Sequence, residues 1–303
     1  MADRVELTER IQRLKAARSA VILAHNYQPS EVQDIADDVG DSLELSRIAA
    51  ETGCRVIVFC GVDFMAETAA ILSPEKVVLL PAVDARCSMA GMITAEDVRE
   101  LRRRYPQAAV VSYVNTSAEV KAESDICCTS ANAVKVVDSL QNDEVIFLPD
   151  RNLGRYVARF SRKRIILGSG YCSVHEHYTR QHVMQAKRNH PEALLVVHPE
   201  CRPEVIDLAD HVASTSGIVQ YVCSRREQEF VIGTEIGLLH RIQRICPGKI
   251  CHPLSMEAIC GDMKRTDLEK VRLSLERMEP RVSVPEEIAI RARRAIERML
   301  EVR

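Results

Sequence analysis

Three cysteines with no local partners set the chemical problem. Cys87, Cys172 and Cys260 lie 85 and 88 residues apart, and none of the eleven cysteines in the chain sits in a Cys-x-x-Cys pair. Local pairs are the usual mark of structural zinc, so their absence turns attention to thiols gathered by the fold. Each of the three keeps register with a Glu-Val dipeptide, following Glu31, Glu119 and Glu204 by 56, 53 and 56 residues. Other reactive groups stand around the same dipeptides. Six residues before each Glu come His25, Tyr113 and His198; four before come Tyr27, Asn115 and Glu200; eleven after come Ser42, Ser130 and Thr215. Imidazole, phenol and carboxylate supply acid–base groups, and the hydroxyl in every copy supplies a hydrogen-bonding group.

Columns of this kind imply an internal triplication. The segments AHNYQPSEVQDIADDVGDS, SYVNTSAEVKAESDICCTS and VHPECRPEVIDLADHVAST align without gaps. Each opens on an apolar run, AVILAH, AVVSYV or ALLVVH, that suits a strand buried on both faces of a parallel sheet. Helical spacing follows, as in Val32, Ile35, Ala36 and Val39, then a polar break and a further helical stretch such as LELSRIAAETG. Ser42, Ser130 and Thr215 therefore fall near helix starts. There a hydroxyl caps the helix, and the free N–H groups can hold a carboxylate or phosphate.

Later strands are expected at RVIVFC, EVIFLP and EFVIGT, and at VVLLPA, RIILGS and KICHPL. Alternating strands and helices build parallel αβα layers, with ligand groups beyond the carboxyl ends of the strands. The expected fold is α/β: three pseudo-threefold-related αβα sandwich domains, each with a small parallel sheet, around a central active site. The repeats span 21–105, 106–190 and 191–275, with helices in 1–20 and 276–303 packed on the first. Thr94 is expected to cap a linking helix, and Pro285 to open the last one.

A hydrophobic fraction of 46%, a charged fraction of 28% and a net charge of −2 over 303 residues describe a globular chain with a full core. They argue against nucleic acid or an anionic membrane surface as partner. No apolar stretch approaches the ~20 residues of a membrane span. The segment MADRVELTERIQRLKAAR reads as an amphipathic helix rather than a signal peptide, so a cytoplasmic setting is expected. A reducing cytosol disfavours structural disulfides. Cys54, Cys60, Cys127, Cys128, Cys201, Cys246 and Cys251 therefore read as core filler or neighbours of the site.

Three units closed around an axis would bring Cys87, Cys172 and Cys260 to one point. Three thiolates on a cubane leave one iron open, and an open iron is a Lewis acid. Zinc on three thiolates is the rival at this stage.

The segments AHNYQ, GDSLELS, RCSMA, SYVNTSAEVKAESD, CCTSANA, FLPDRNLG, HPEC and STSG, together with the three spaced cysteines, resemble the quinolinate synthase family. The resemblance runs from about Leu23 to Met263. It implies condensation of iminoaspartate with dihydroxyacetone phosphate to quinolinate, with release of phosphate and two waters, in NAD biosynthesis. It also implies a [4Fe-4S] cluster on Cys87, Cys172 and Cys260, and supply of iminoaspartate by an aspartate oxidase or dehydrogenase. Tyr27 and Glu200 match proton-transfer residues of the family, and His25 and His175 match pocket histidines. His198, Tyr113, Asn115, Ser42, Ser130 and Thr215 match groups that hold the substrate. Some members carry a Cys-x-x-Cys-x-x-Cys run at the last ligand; here Met256, Glu257, Ala258 and Ile259 precede Cys260, and that run is missing. An iron–sulfur dehydratase of aconitase type, acting on one hydroxy acid, and a non-enzymatic solute-binding or redox module are the competing readings.

Overall fold

The computed structural model describes residues 2–302. A helix, α1 (Ala2–Arg18), precedes the first of three copies of one element order, β-α-β-α-β-α-β. The first copy runs β1 (Ala20–His25), α2 (Ser30–Ile35), β2 (Asp38–Gly40), α3 (Ser42–Glu51), β3 (Val56–Cys60), α4 (Asp63–Leu72) and β4 (Val77–Leu79). After α5 (Ala95–Arg104), the second runs β5 (Ala109–Tyr113), α6 (Ala118–Ala122), β6 (Ile126–Cys128), α7 (Ala133–Ser139), β7 (Glu144–Leu148), α8 (Arg151–Ala158) and β8 (Arg164–Leu167). The short α9 (Ser173–Glu176) and α10 (Arg180–Asn189) lead to the third. It runs β9 (Leu194–Val197), α11 (Pro203–Ile206), β10 (His211–Val212), α12 (Thr215–Ser224), β11 (Glu229–Gly233), α13 (Gly237–Ile245) and β12 (Ile250–Pro253), followed by α14 (Leu268–Arg277) and α15 (Glu286–Glu301).

Each copy forms one four-stranded sheet with the same strand order, β2-β1-β3-β4, β6-β5-β7-β8 and β10-β9-β11-β12, and every pairing within them is parallel. The central strands are largely apolar because both faces are covered; β1, β3 and β5 are buried at every position. The strands expected from sequence are all present. The second strand of each copy was not expected. At two or three residues, β2, β6 and β10 are too short to carry a period, and Val39, read as helical, lies in β2.

A further repeated column, of aspartates, fixes those short strands. Asp37, Asp125 and Asp210 each accept the backbone N–H of the first strand, from Ile22, Val110 and Leu195, at 2.8, 2.7 and 2.7 Å. Their own N–H groups return to the carbonyls of the same three residues. Each Asp thus closes a two-bond ring that starts the neighbouring strand in register.

The terminal helices do not all pack as expected. Leu268, Val271 and Leu275 of α14, inside the stretch assigned to the third repeat, pack with Ile11 of α1 on one face of the first sheet. α15 lies across two copies, touching α4 of the first and α6 and β6 of the second. Thr94 caps α5 with a reciprocal bond from Asp97, and Pro285 precedes α15, as expected. Cys223 of α12 and Cys246 at the end of α13 form a disulfide, with Cα atoms 5.7 Å apart. This corrects the expectation that Cys246 is a free thiol.

Candidate active site

The carboxyl ends of the three sheets face one cavity of about 120 Å³. Its lining includes Cys87, Cys172 and Cys260, and also His25, Tyr27, Ser42, Tyr113, Asn115, Ser130, His198, Glu200 and Thr215. Every site residue expected from sequence is there except His175. That residue is 1% exposed and stands behind Glu200.

The equivalent strand ends hold their histidines in one way. His25 Nδ1 accepts the N–H of Tyr27 at 3.2 Å, and His198 Nδ1 accepts the N–H of Glu200 at 3.3 Å. With Nδ1 an acceptor, each neutral ring carries its proton on Nε2. Burial pulls both pKa values down to about 3, so both rings stay neutral. His198 Nε2 uses its proton on Ser130 Oγ at 3.1 Å.

The hydroxyl column is less uniform than its spacing implied. Ser42 and Thr215 are the first residues of α3 and α12, but the caps are the residues before them, Asp41 and Ser214. Ser130 lies ahead of α7, whose cap position is Asn132. Asp41 already accepts the N–H groups of Leu43 and Glu44. The hydroxyls of Ser42 and Thr215, rather than those helix-end amides, are therefore what the cavity meets. Asn26 ties Thr215 to the first copy, donating to Thr215 Oγ1 at 2.9 Å. The side-chain oxygen of Asn115 is buried without a partner, an acceptor open to a ligand's donor. No Lys or Arg lines the cavity among the described residues.

A chain of hydrogen bonds runs behind this lining. Glu200 Oε1 accepts the Tyr113 hydroxyl at 2.5 Å, and Glu200 Oε2 lies 2.8 Å from His175 Nδ1. His175 Nε2 lies 2.8 Å from Thr234 Oγ1, which is 2.6 Å from the Tyr27 hydroxyl. Burial opposes ionisation of Glu200, but the hydrogen bonds donated by His175 and Tyr113 hold its pKa low. An ionised Glu200 beside a neutral His175 sets the directions in the chain. His175 Nδ1–H donates to it, Thr234 O–H donates to His175 Nε2, and Tyr27 O–H donates to Thr234. Burial and the charge of Glu200 push the Tyr27 phenol well above its ordinary range, so Tyr27 enters as an acid.

Thr234 was not found from sequence. Its counterparts at the same strand end, Gly61 and Pro149, carry no hydroxyl, so no column marks it. Tyr178 holds it by donating to its carbonyl at 2.6 Å. Asn152 donates to the carbonyl of Glu200 at 3.2 Å.

The three thiols are raised in pKa, chiefly by burial. Any metal they take must displace protons. The donor set fits a cluster better than a single ion. A zinc ion bonds each sulfur at about 2.3 Å, which needs sulfurs about 4 Å apart. The side-chain groups whose ligand atoms all fall within 4.8 Å are Cys172–His175–Glu200 and His190–Glu229–His252, not the three cysteines. In the first, both nitrogens of His175 are already engaged. In the second, His190 Nδ1 and His252 Nε2 both lie against Glu229 Oε1, at 3.0 and 2.9 Å, and none of the three residues lines the cavity.

A family model described as "Quinolinate synthetase A protein" matches residues 9–301. A protein named quinolinate synthase from Methanoregula boonei is 63% identical over 300 residues, covering 99% of this chain and 99% of its own. One of the same name from Desulforudis audaxviator is 56% identical over 296 residues, covering 97% and 98%. Quinolinate synthase 1 of Methanosarcina acetivorans is 53% identical over 301 residues, covering 99% of each.

Proposed function

Since this chain belongs to the quinolinate synthetase A family, we propose that it is a quinolinate synthase of the transferase class. It condenses iminoaspartate with dihydroxyacetone phosphate and releases phosphate and water in NAD biosynthesis. The observation that carries the reading is the convergence, on one cavity lined from all three copies, of Cys87, Cys172 and Cys260 with Tyr27, Glu200 and neutral donors. The three copies are taken as the domains 21–105, 106–190 and 191–275.

Cys87, Cys172 and Cys260 would hold a [4Fe-4S] cluster, and its open iron supplies a Lewis acid for a substrate oxygen when bound. The remaining work belongs to the chain itself. Both substrates are anionic, yet the cavity lining has no fixed cation among the described residues. Binding therefore falls to neutral groups: His25 Nε2–H and the hydroxyls of Ser42, Ser130 and Thr215 as donors, while Tyr113, whose hydrogen goes to Glu200, offers its oxygen. Asn115 meets a donor of the ligand through its unpartnered oxygen. His198 Nε2–H donates to Ser130 Oγ, which leaves the serine hydrogen for the Tyr113 oxygen or for the substrate. Glu200, ionised and facing the cavity, takes a proton from the substrate. Tyr27 donates one to a departing oxygen, and the proton returns from Glu200 to Tyr27 through His175 and Thr234 by reversal of each donor in that chain. Separating an acid from a base in this way lets condensation and water loss share one site.

No helix among the described residues is long and apolar enough to cross a membrane. We place the reaction in the cytoplasm, supplied with iminoaspartate by an aspartate oxidase or dehydrogenase. The test is anaerobic purification of the full chain and an assay for quinolinate with both substrates, then with each omitted. Turnover of a single hydroxy acid with no need for the triose phosphate would overturn the assignment.

A further inference from the structure

The loops that carry the three cysteines are tied down in one way, by residues that no sequence column marks. In the first copy the N–H of Asp63 donates to the carbonyl of Ala85 at 2.9 Å, and the N–H of Cys87 donates to Asp63 Oδ1 at 3.4 Å. In the second, the N–H of Arg151 donates to the carbonyl of Gly170 at 2.8 Å, and the N–H of Cys172 donates to Asp150 Oδ2 at 3.1 Å. In the third, the N–H of Ile236 donates to the carbonyl of Ala258 at 3.1 Å, and the N–H of Cys260 donates to Glu235 Oε1 at 3.2 Å. Each cysteine is thus clamped between the carbonyl two residues before it and its own amide. The clamp is the turn that leads from the third strand into the following helix, α4, α8 or α13.

The carboxylates reach this contact from unlike starting points. Two are Asp and one is Glu. Asp63 sits on the residue whose backbone N–H joins the clamp, whereas Asp150 and Glu235 sit one residue earlier. Each also binds its own helix turn, Asp63 through Phe64, Asp150 through Asn152 and Leu153, and Glu235 through Gly237. Asp150 and Glu235 are fully buried. Glu235 has Lys264 at 2.8 Å. Asp150 forms no ion pair among the described residues, and a buried carboxylate held only by amides is costly as a structural device. Meanwhile the sulfurs accept from amides further along each loop: Ala90 and Met89, His175, and Met263 and Asp262. Turning those amides onto a sulfur requires the cysteine's own N–H to be held elsewhere, and the carboxylate holds it.

We propose that Asp63, Asp150 and Glu235 are positioning residues for the three cysteines. They fix each loop before metal arrives, so that the sulfurs stand ready to take the cluster. This rests on the reading that Cys87, Cys172 and Cys260 hold the cluster, and the experiment separates the two ideas.

The full chain is purified anaerobically as parent, Asp150→Asn, Glu235→Gln, Asp63→Asn, Asp150→Glu and Cys172→Ser. Three quantities are read: iron and sulfide per chain, the rate of iron loss to a ferrous chelator, and the thermal stability of the apo-protein. Outer-shell partners of metal ligands typically change metal affinity by roughly 10–100-fold. Asp150→Asn and Glu235→Gln are expected to lose iron faster by about that factor. Asp63→Asn, with the longest contact, is expected to change least. Asp150→Glu keeps the carboxyl group but not the reach, so it speeds iron loss as well. A role confined to folding would lower the stability of the apo-protein and leave the rate of iron loss at the parent value. Parent-like iron retention in both Asp150→Asn and Glu235→Gln overturns the proposal. If Asp150→Asn does not fold, Glu235→Gln decides it by the same readouts. Full iron content in Cys172→Ser overturns the ligand reading instead.

Discussion

Replacing Thr234 by Val tests the proton path at its least replaceable link. The side chain is 1% exposed, and among the described residues its hydroxyl is the only group joining Tyr27, at 2.6 Å, to His175, at 2.8 Å. Valine keeps the branched shape and removes both bonds. The Tyr27 hydroxyl lines the cavity and can turn to water, but His175 Nε2 is buried and is left without a donor. An unsatisfied buried group costs about 1–3 kcal/mol, so the variant is expected to lose about 2 kcal/mol of stability and still fold. The kinetic effect is larger. Positioned acid–base catalysis contributes about 10²–10⁴-fold, and breaking the link between acid and base forfeits a good part of it. We expect kcat to fall by about 100-fold while KM stays within about threefold, because Thr234 does not line the cavity. Thr234→Ser restores the hydroxyl and most of the rate. The assay is anaerobic quinolinate formation with iron content measured in the same samples, so that cluster loss is not mistaken for a broken path. A kcat in Thr234→Val equal to that of the parent, at equal iron, refutes the path through Thr234 and His175.

Other predictions concern the same architecture. Glu200→Gln sets an amide against two donors, Tyr113 and His175; turnover is expected to drop by about 10²–10⁴-fold, and normal turnover removes the carboxylate from the mechanism. His198 has a folded pKa of about 3 against about 6.5 unfolded. The unfolded chain therefore binds the extra proton between those values, and this group destabilises the fold as pH falls through that window. Urea midpoints of the apo-protein at pH 6 and pH 4.5 are expected to fall less steeply in His198→Asn than in the parent. The difference should be about 1.4 kcal/mol per pH unit, and identical slopes contradict the assignment. Asp210→Ala removes the bond to the N–H of Leu195 and is expected to cost about 1 kcal/mol in urea unfolding with turnover unchanged. A loss of activity without loss of stability would place Asp210 in the site rather than the frame.

What could be read from the sequence follows from how the triplication works. A column repeated three times converts spacing into geometry, which is why His25, Tyr113 and His198 could be set on strand ends and Cys87, Cys172 and Cys260 on one cavity. Residues that break the repeat were invisible. Thr234 has Gly61 and Pro149 as counterparts, and the carboxylate clamp shifts by one residue in the first copy. Asp37, Asp125 and Asp210 were legible in principle, six residues after each Glu, but their role is a backbone contact that side-chain chemistry does not announce. The short strands β2, β6 and β10 form because a neighbour strand and an aspartate recruit them, not because their residues favour extension. The Cys223–Cys246 pair depends on two helix ends meeting, a tertiary fact.

The position of α15 has a consequence for how the chain is made. It lies along the seam between the first and second copies, where Ala292, Ala295, Ile296 and Met299 are buried against both. During synthesis those two copies leave the ribosome long before the helix that covers their shared apolar groove. Until translation reaches residue 301 the groove stays open to water, to chaperones and to other nascent chains. A cell making this protein quickly must therefore shelter a half-finished surface, and slowing the last 20 or so codons would lengthen that exposure, whereas faster release would shorten it.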